Sequence, residues 1–163
     1  MSGSNSRELV DAFYAAYASQ DAEKLSAVLH DDVEWVISGP VDVLAFCGRY
    51  RGKAAVIDLA SRVVPSLYRV VDLTRESLVV DGDRAATLNR MLGRRCDDGR
   101  MISYRLAHFL RFRDGKVIEN ISLIDSFDAA EQMLGHRLDV GDEHGADLID
   151  LPIISDAGGM VAV

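Results

Sequence analysis

MISYRLAHFLRF (Met101–Phe112), then Arg113-Asp114-Gly115, then KVIENISLID (Lys116–Asp125) is the stretch that decides how the chain is read. Two runs rich in β-branched and aromatic residues flank Asp-Gly, a short hairpin signal, so the spacing predicts two paired strands. Side chains alternate faces along a strand. Tyr104, Leu106, His108 and Leu110 therefore share one face, and Arg105, Ala107, Phe109 and Arg111 share the other. The first face is mostly apolar, with a single histidine in it.

Register decides what that histidine meets. A type I turn over Phe112–Gly115, with Gly115 in a left-handed bulge, sets Asn120 opposite His108 and Ser122 diagonal to it. A two-residue type I′ turn at Asp114-Gly115 sets Ile121 opposite His108 and brings Asp125 to the far end of the face. The first is preferred, because Asp then Gly at the third and fourth turn positions suits type I with a bulge. Its inner polar set is Tyr104, His108, Asn120 and Ser122.

Outward from the hairpin, 163 residues with 48% hydrophobic content suit one domain with a substantial core. No apolar run approaches the ~20 residues of a membrane-spanning helix. The N-terminus has no apolar signal region, and Cys47 and Cys96 match no metal spacing, so a reducing, cytoplasmic location is expected. The net charge is −8, with six acids and no Lys or Arg from Leu138 onward. Neither part shows a basic groove interleaved with aromatics, so nucleic acid is not an expected partner. The domain is expected over 1–135, with an acidic irregular tail over 136–163.

Before the hairpin, Asn5 and Glu8 form a capping box, and Leu9, Val10, Phe13, Tyr14 and Tyr17 recur at helical spacing. Asp21 caps a second helix, whose exposed end holds His30; Val33 to Ile37 is a strand centred on Trp35. Residues 39–52 read as loop or irregular edge strand, and Lys53 to Val64 as a helix stopped by Pro65. Tyr68–Val80 and Arg84–Arg95 are strands with tight Asp/Gly turns, completing a four-strand meander with the hairpin. Asp125 and Asp128 open a short helix closed by Gly135. Leu148 to Ile154 is an apolar piece suited to an edge strand or to lying across a partner, and the last seven residues are expected to fray. Helices followed by strands argue for α+β, with helices packed on one face of a curved antiparallel sheet.

FYAAYASQD (Phe13–Asp21), VLHDDVEWVISGP (Val28–Pro40), CGRYRGKAAVIDLA (Cys47–Ala60), the hairpin from His108 to Asp125 and the last helix together resemble the SnoaL-like branch of the nuclear transport factor 2-like superfamily. The resemblance spans about Ser6 to Leu134. It implies a cone: a bent sheet around the N-terminal helix, a deep pocket between them, and homodimers across the outer sheet face, where Phe109 would be buried. The lining expected is Phe13, Tyr17, Trp35, Phe46, Tyr50, Leu59, Val63, Met91, Tyr104, Leu106, His108, Asn120 and Ser122.

Within that superfamily, ketosteroid isomerases use a tyrosine and two aspartic acids, whose positions look like Phe13, Ile37 and His108; that chemistry is not expected. The acid in the last long strand of limonene-epoxide-hydrolase-like members matches Ser122, which cannot replace it near pH 7. SnoaL-like polyketide cyclases resemble this chain in having a pocket histidine. The resemblance implies His108 as acid/base, with Asp125 as its partner if the second register forms; otherwise Asp125 is a helix cap. No cofactor and no metal are expected. The leading expectation is a cyclase, isomerase or lyase moving a proton on a small apolar or weakly anionic carbonyl compound. A non-catalytic binding protein with the same pocket is the alternative, and a module whose own aromatics fill the pocket is a third.

Overall fold

The computed structural model describes residues 3–139. Helix α1 (Gly3–Ser19) already runs from Gly3, so Asn5 sits inside its first turn rather than capping it. Ser6, fully buried, ties this end of the helix to the sheet by donating from Oγ to the Gly82 carbonyl at 2.6 Å. Asp21 caps α2 (Ala22–Val28) as expected, its carboxylate accepting from the Glu23 and Lys24 amides.

Strand β1 (Leu29–Ser38) starts directly where α2 ends, four residues earlier than Val33. His30 is therefore a strand residue, one position past the helix cap, and not a helix end. Strand β2 (Gly48–Arg51) pairs with β1 as the edge strand read in that segment. Helix α3 (Lys53–Asp58) passes through a π turn (Leu59–Val63) into α4 (Val64–Leu67). Pro65 does not stop the helix. The Val64 amide already reaches back five residues to the Leu59 carbonyl, and proline is tolerated at the start of the next turn.

Strands β3 (Tyr68–Asp81), β4 (Arg84–Arg95), β5 (Met101–Arg113) and β6 (Lys116–Ile124) form the predicted meander. The sheet order is β2-β1-β6-β5-β4-β3. One pair departs from the all-antiparallel expectation: β1 and β6 run parallel, which the long connection between them permits. Bulges between Val70 and Asp72 and between Arg75 and Ser77 interrupt the β3–β4 ladder, and such insertions bend a strand. The concave face wraps α1, α3 and α4, giving the curved α+β cone.

The β5–β6 hairpin forms the type I′ turn of the second reading, but past the turn it takes neither expected register. Asp114 and Gly115 both have positive φ, 53° and 73°, as a type I′ turn requires, and Arg113 faces Lys116. A bulge then makes Arg111 face Glu119, so that His108 faces Ser122 and Leu110 faces Asn120. The observed register differs from the preferred one by two residues, which leaves every side chain on its predicted face.

Helix α5 (Ser126–Leu134) ends at Gly135 in the left-handed conformation, φ 79°. Gln132 pins it to the free edge of β5: its Oε1 accepts from the Ser103 amide and its Nε2 donates to the Ser103 carbonyl, each at 2.7 Å. Leu148–Ile154 and the final residues lie outside the described residues. Among the described residues no helix is long and apolar enough to cross a membrane.

Candidate functional site

Four strands bring one row of side chains together on the concave face: Ile37 beside Ser122, Ser122 beside His108, His108 beside Thr87. From the opposite side α1 lowers Phe13, Tyr14 and Tyr17 onto this row. The Phe13 ring lies 5.7 Å from Trp35, and Tyr17 lies 6.0 Å from His108. Aromatic rings thus surround the imidazole.

His108 is 1% exposed. Its Nδ1 sits 2.7 Å from the Tyr14 hydroxyl. Tyr14 in turn lies 2.5 Å from Thr87 Oγ1, and Asn89 Nδ2 donates to Tyr14 at 3.0 Å and to Thr87 at 2.9 Å. Burial drives the His108 pKa down from 6.5 to about 3, because the charged ring has no water to solvate it. Burial likewise pushes the Tyr14 hydroxyl up to about 12. Both groups are neutral across the physiological range, so His108 is not poised to exchange a proton near neutral pH.

His108 also lines a small cavity with Ser122, Tyr104, Leu106, Tyr17, Phe46 and Leu59, and because Tyr14, Thr87 and Asn89 on its Nδ1 side are not part of that wall, the ring edge away from Tyr14 is the one that faces it. Ile37, Val64, Tyr68 and Ile124 complete the wall. The cavity has about 20 Å³ of free space, room for about one water molecule. Among the described residues its polar groups are all neutral, with no carboxylate, lysine or arginine on the wall. Trp35 Nε1 donates to Ser122 Oγ at 2.8 Å, and the Tyr68 and Tyr104 hydroxyls share one hydrogen bond of 2.8 Å. Burial raises the pKa of Tyr17, Tyr68 and Tyr104 as well.

Several expected lining residues sit elsewhere. Phe13 and Trp35 are fully buried as packing around the site, not as its wall. Tyr50 turns its hydroxyl to the Phe46 carbonyl at 3.0 Å. Val63 gives way to Val64, because the π turn holds one residue more than an α turn and carries the inward face one position on. Met91 lies beside Tyr104 on the inner face, and Asn120 lies between Trp35 and Leu110, both off the wall.

Asp125 does not meet His108. It is exposed, outside the β5–β6 pairs, with its amide donating to the Arg105 carbonyl at 3.0 Å. It occupies the N-cap position of α5, although its side chain makes no capping hydrogen bond. The register that would have turned it inward is not the one formed.

Tyr14, Thr87 and Asn89 were not singled out by the sequence reading. For Thr87 and Asn89 the signal was parity: with Met91 placed inward, both fall on the inward face of the same strand. Among the described residues no group of three His, Cys, Asp or Glu could hold a metal ion.

The comparisons with known proteins agree with this fold. A model of the SnoaL-like domain matches residues 10–120. A structure from Rhodopseudomonas palustris, provisionally named an isomerase, is 30% identical, with a TM-score of 0.73 over 78% of this chain and 97% of its own. A nuclear transport factor 2-like protein from Burkholderia xenovorans LB400 is 25% identical, with a TM-score of 0.66 over 80% of this chain and 97% of its own. A provisionally named SnoaL-like polyketide cyclase from Jannaschia sp. CCS1, at 16% identity and a TM-score of 0.63 over 76% and 87%, shares the fold. No curated protein sequence matches. The chain belongs to the SnoaL-like domain family.

Proposed function

We propose that this SnoaL-like chain is a small-molecule pocket protein that recognises a compact, largely apolar compound through one polar group held at His108. His108 carries the reading. It is a buried polar ring with one nitrogen anchored and its other edge on the cavity wall beside Ser122. Burial of a polar edge costs free energy unless something meets it, and a ligand oxygen in the cavity would.

The free space admits only about one water, so a ligand must part the wall. Leu59 and Val64 stand at the two ends of the π turn and both face the cavity. Such turns recur at functional sites, and this one is the natural place for the wall to yield.

A proton-transferring isomerase or cyclase is the second reading, favoured by the 30% identity to the provisionally named isomerase. Against it stand the weak basicity of His108 and a wall that, among the described residues, holds no carboxylate. Assembly is part of the proposal: a homodimer across the outer sheet face would cover Phe109, Ile121 and Leu123, which are 48%, 38% and 45% exposed. Sedimentation across a range of concentrations tests it, and a monomer throughout would rule it out.

The pocket is tested by calorimetric titration of small cyclic ketones into the wild type and His108→Leu. Saturable binding that weakens at least about tenfold in the variant, about 1.4 kcal/mol, supports recognition at His108. No saturable binding would leave the cavity as packed core. Uptake of deuterium from solvent at the carbon next to the ketone, lost in the variant, would promote the second reading.

A further inference from the structure

The residues behind His108 determine which of its nitrogens carries the proton. Each hydroxyl of Tyr14 and Thr87 has one hydrogen to give and two lone pairs to fill, and Asn89 Nδ2 already donates to both oxygens. Suppose Nδ1 carried the proton. It would donate to Tyr14, and Tyr14 would donate to Thr87, which fills both oxygens. The Thr87 hydrogen would then find no acceptor, on a residue 4% exposed and off the cavity wall.

The opposite direction wastes nothing inside the network. Thr87 donates to Tyr14, Tyr14 donates to Nδ1, and the ring proton moves to Nε2. Apart from Asn89 Oδ1, which lacks a partner in both arrangements, only the Nε2–H remains unmet, on the edge of the ring away from Tyr14, where the cavity can supply a partner. Turning the Asn89 amide over does not rescue the first arrangement. Its two N–H groups would then point where its Oδ1 already has no partner.

Ser122 adds a second donor to the cavity wall, although it does not itself decide the tautomer. Its Oγ accepts from Trp35, and among the described residues its own hydrogen has no acceptor. Two adjacent cavity groups, His108 and Ser122, therefore have hydrogens to spare.

We infer that Tyr14, Thr87 and Asn89 hold His108 as the Nε2–H tautomer, so that the cavity presents a hydrogen-bond donor and selects compounds offering an acceptor oxygen, such as a ketone. Tyr14 is a positioning residue here: it acts on the ligand only through the imidazole. The ligand half of the inference rests on the pocket reading above, whereas the tautomer half does not.

Long-range proton–nitrogen NMR of the His108 ring tests the tautomer without any ligand. The expected wild-type spectrum has a pyridine-type Nδ1 and a pyrrole-type Nε2; the reverse overturns the inference. In Tyr14→Phe the two shifts should converge toward a mixture, and an unchanged, pure Nε2–H spectrum would remove Tyr14 from its role. Should that variant fail to fold, Thr87→Val serves: the spectrum should keep its wild-type form, and a switch to Nδ1–H overturns the donor order.

Selectivity is read with 1-indanone, which only accepts, and indole, which only donates. Indanone should bind the wild type at least tenfold more tightly, with the ratio falling toward one in Tyr14→Phe. Equal affinities in the wild type would overturn the selectivity while leaving the pocket reading intact. Binding of neither probe would overturn the pocket reading and the ligand half with it, and the tautomer would stand on its spectrum alone.

Discussion

The two faces of strand β5 share one backbone and have almost nothing else in common. Inward, Ile102, Tyr104, Leu106, His108, Leu110 and Phe112 are all nearly fully buried. Outward, Arg105 reaches Glu76 at 3.0 Å and Arg111 reaches Glu119 at 2.8 Å, while Phe109 stands half exposed between them. The outer charges are paired in water, where pairing contributes little and its loss is easily absorbed. Inward on this strand, Tyr104 and His108 are neutral and hydrogen-bonded, because no charge survives there without solvent. Distance from water, more than residue type, decides what each side chain can do.

Core truncation should separate the faces most sharply. Leu110→Ala is expected to cost about 2–5 kcal/mol, because the surrounding rows cannot collapse into the gap. Phe109→Ala, one residue away, should cost less than about 1 kcal/mol in dilute protein. Urea midpoints measure both, and similar losses would show that the outer face is buried after all.

Acid should act through the inner face next. The folded-state pKa of His108 is depressed to about 3, below the 6.5 of the free side chain. The unfolded chain therefore binds the extra proton between those two values. Its contribution to stability is complete above about pH 6.5 and declines as pH falls toward 3, by up to about 1.4 kcal/mol per pH unit. Comparison of urea midpoints of wild type and His108→Leu across that window isolates the effect, and parallel pH curves would rule it out.

Tyr14→Phe removes one oxygen from the network and leaves His108 Nδ1 and the Thr87 hydrogen without partners. A loss of about 1–3 kcal/mol is expected in thermal or urea unfolding. On the outer face, Arg111→Ala breaks only a half-exposed pair with Glu119 and should stay within about 0.5 kcal/mol. A larger loss than in Tyr14→Phe would invert the ranking and place the important electrostatics outside.

The sequence carried the fold well wherever periodicity was strong. The strands from Tyr68 to Ile124 and their tight turns stand close to where alternation and Asp/Gly signals put them. The inner set of Tyr104, His108, Asn120 and Ser122 also holds, because both the preferred and the observed registers keep the same parity. Register itself was not legible: the extra residue of a bulge has no composition signature. Nor was the π turn, which moved the wall from Val63 to Val64.

At the site, the alternation exposed His108 but not its electrostatics. A lone histidine on an apolar strand face gives no indication whether water reaches it, and its depressed pKa comes from Tyr14, Phe13, Tyr17 and Trp35 closing around it in three dimensions. Asp125 illustrates the converse error. A carboxylate near the right strand in sequence lay one pairing step away from relevance.

In the β5–β6 hairpin, pairing and curvature are encoded by different residues. Phe112 faces Val117 and Arg111 faces Glu119, so Ile118 is surplus to the ladder. Removing it would cost a buried side chain yet leave His108 opposite Ser122 and Leu110 opposite Asn120, while taking away the bend that a bulge imposes. The bend of the sheet at this hairpin can therefore be changed by gaining or losing a single codon, with every residue of the cavity wall left unchanged.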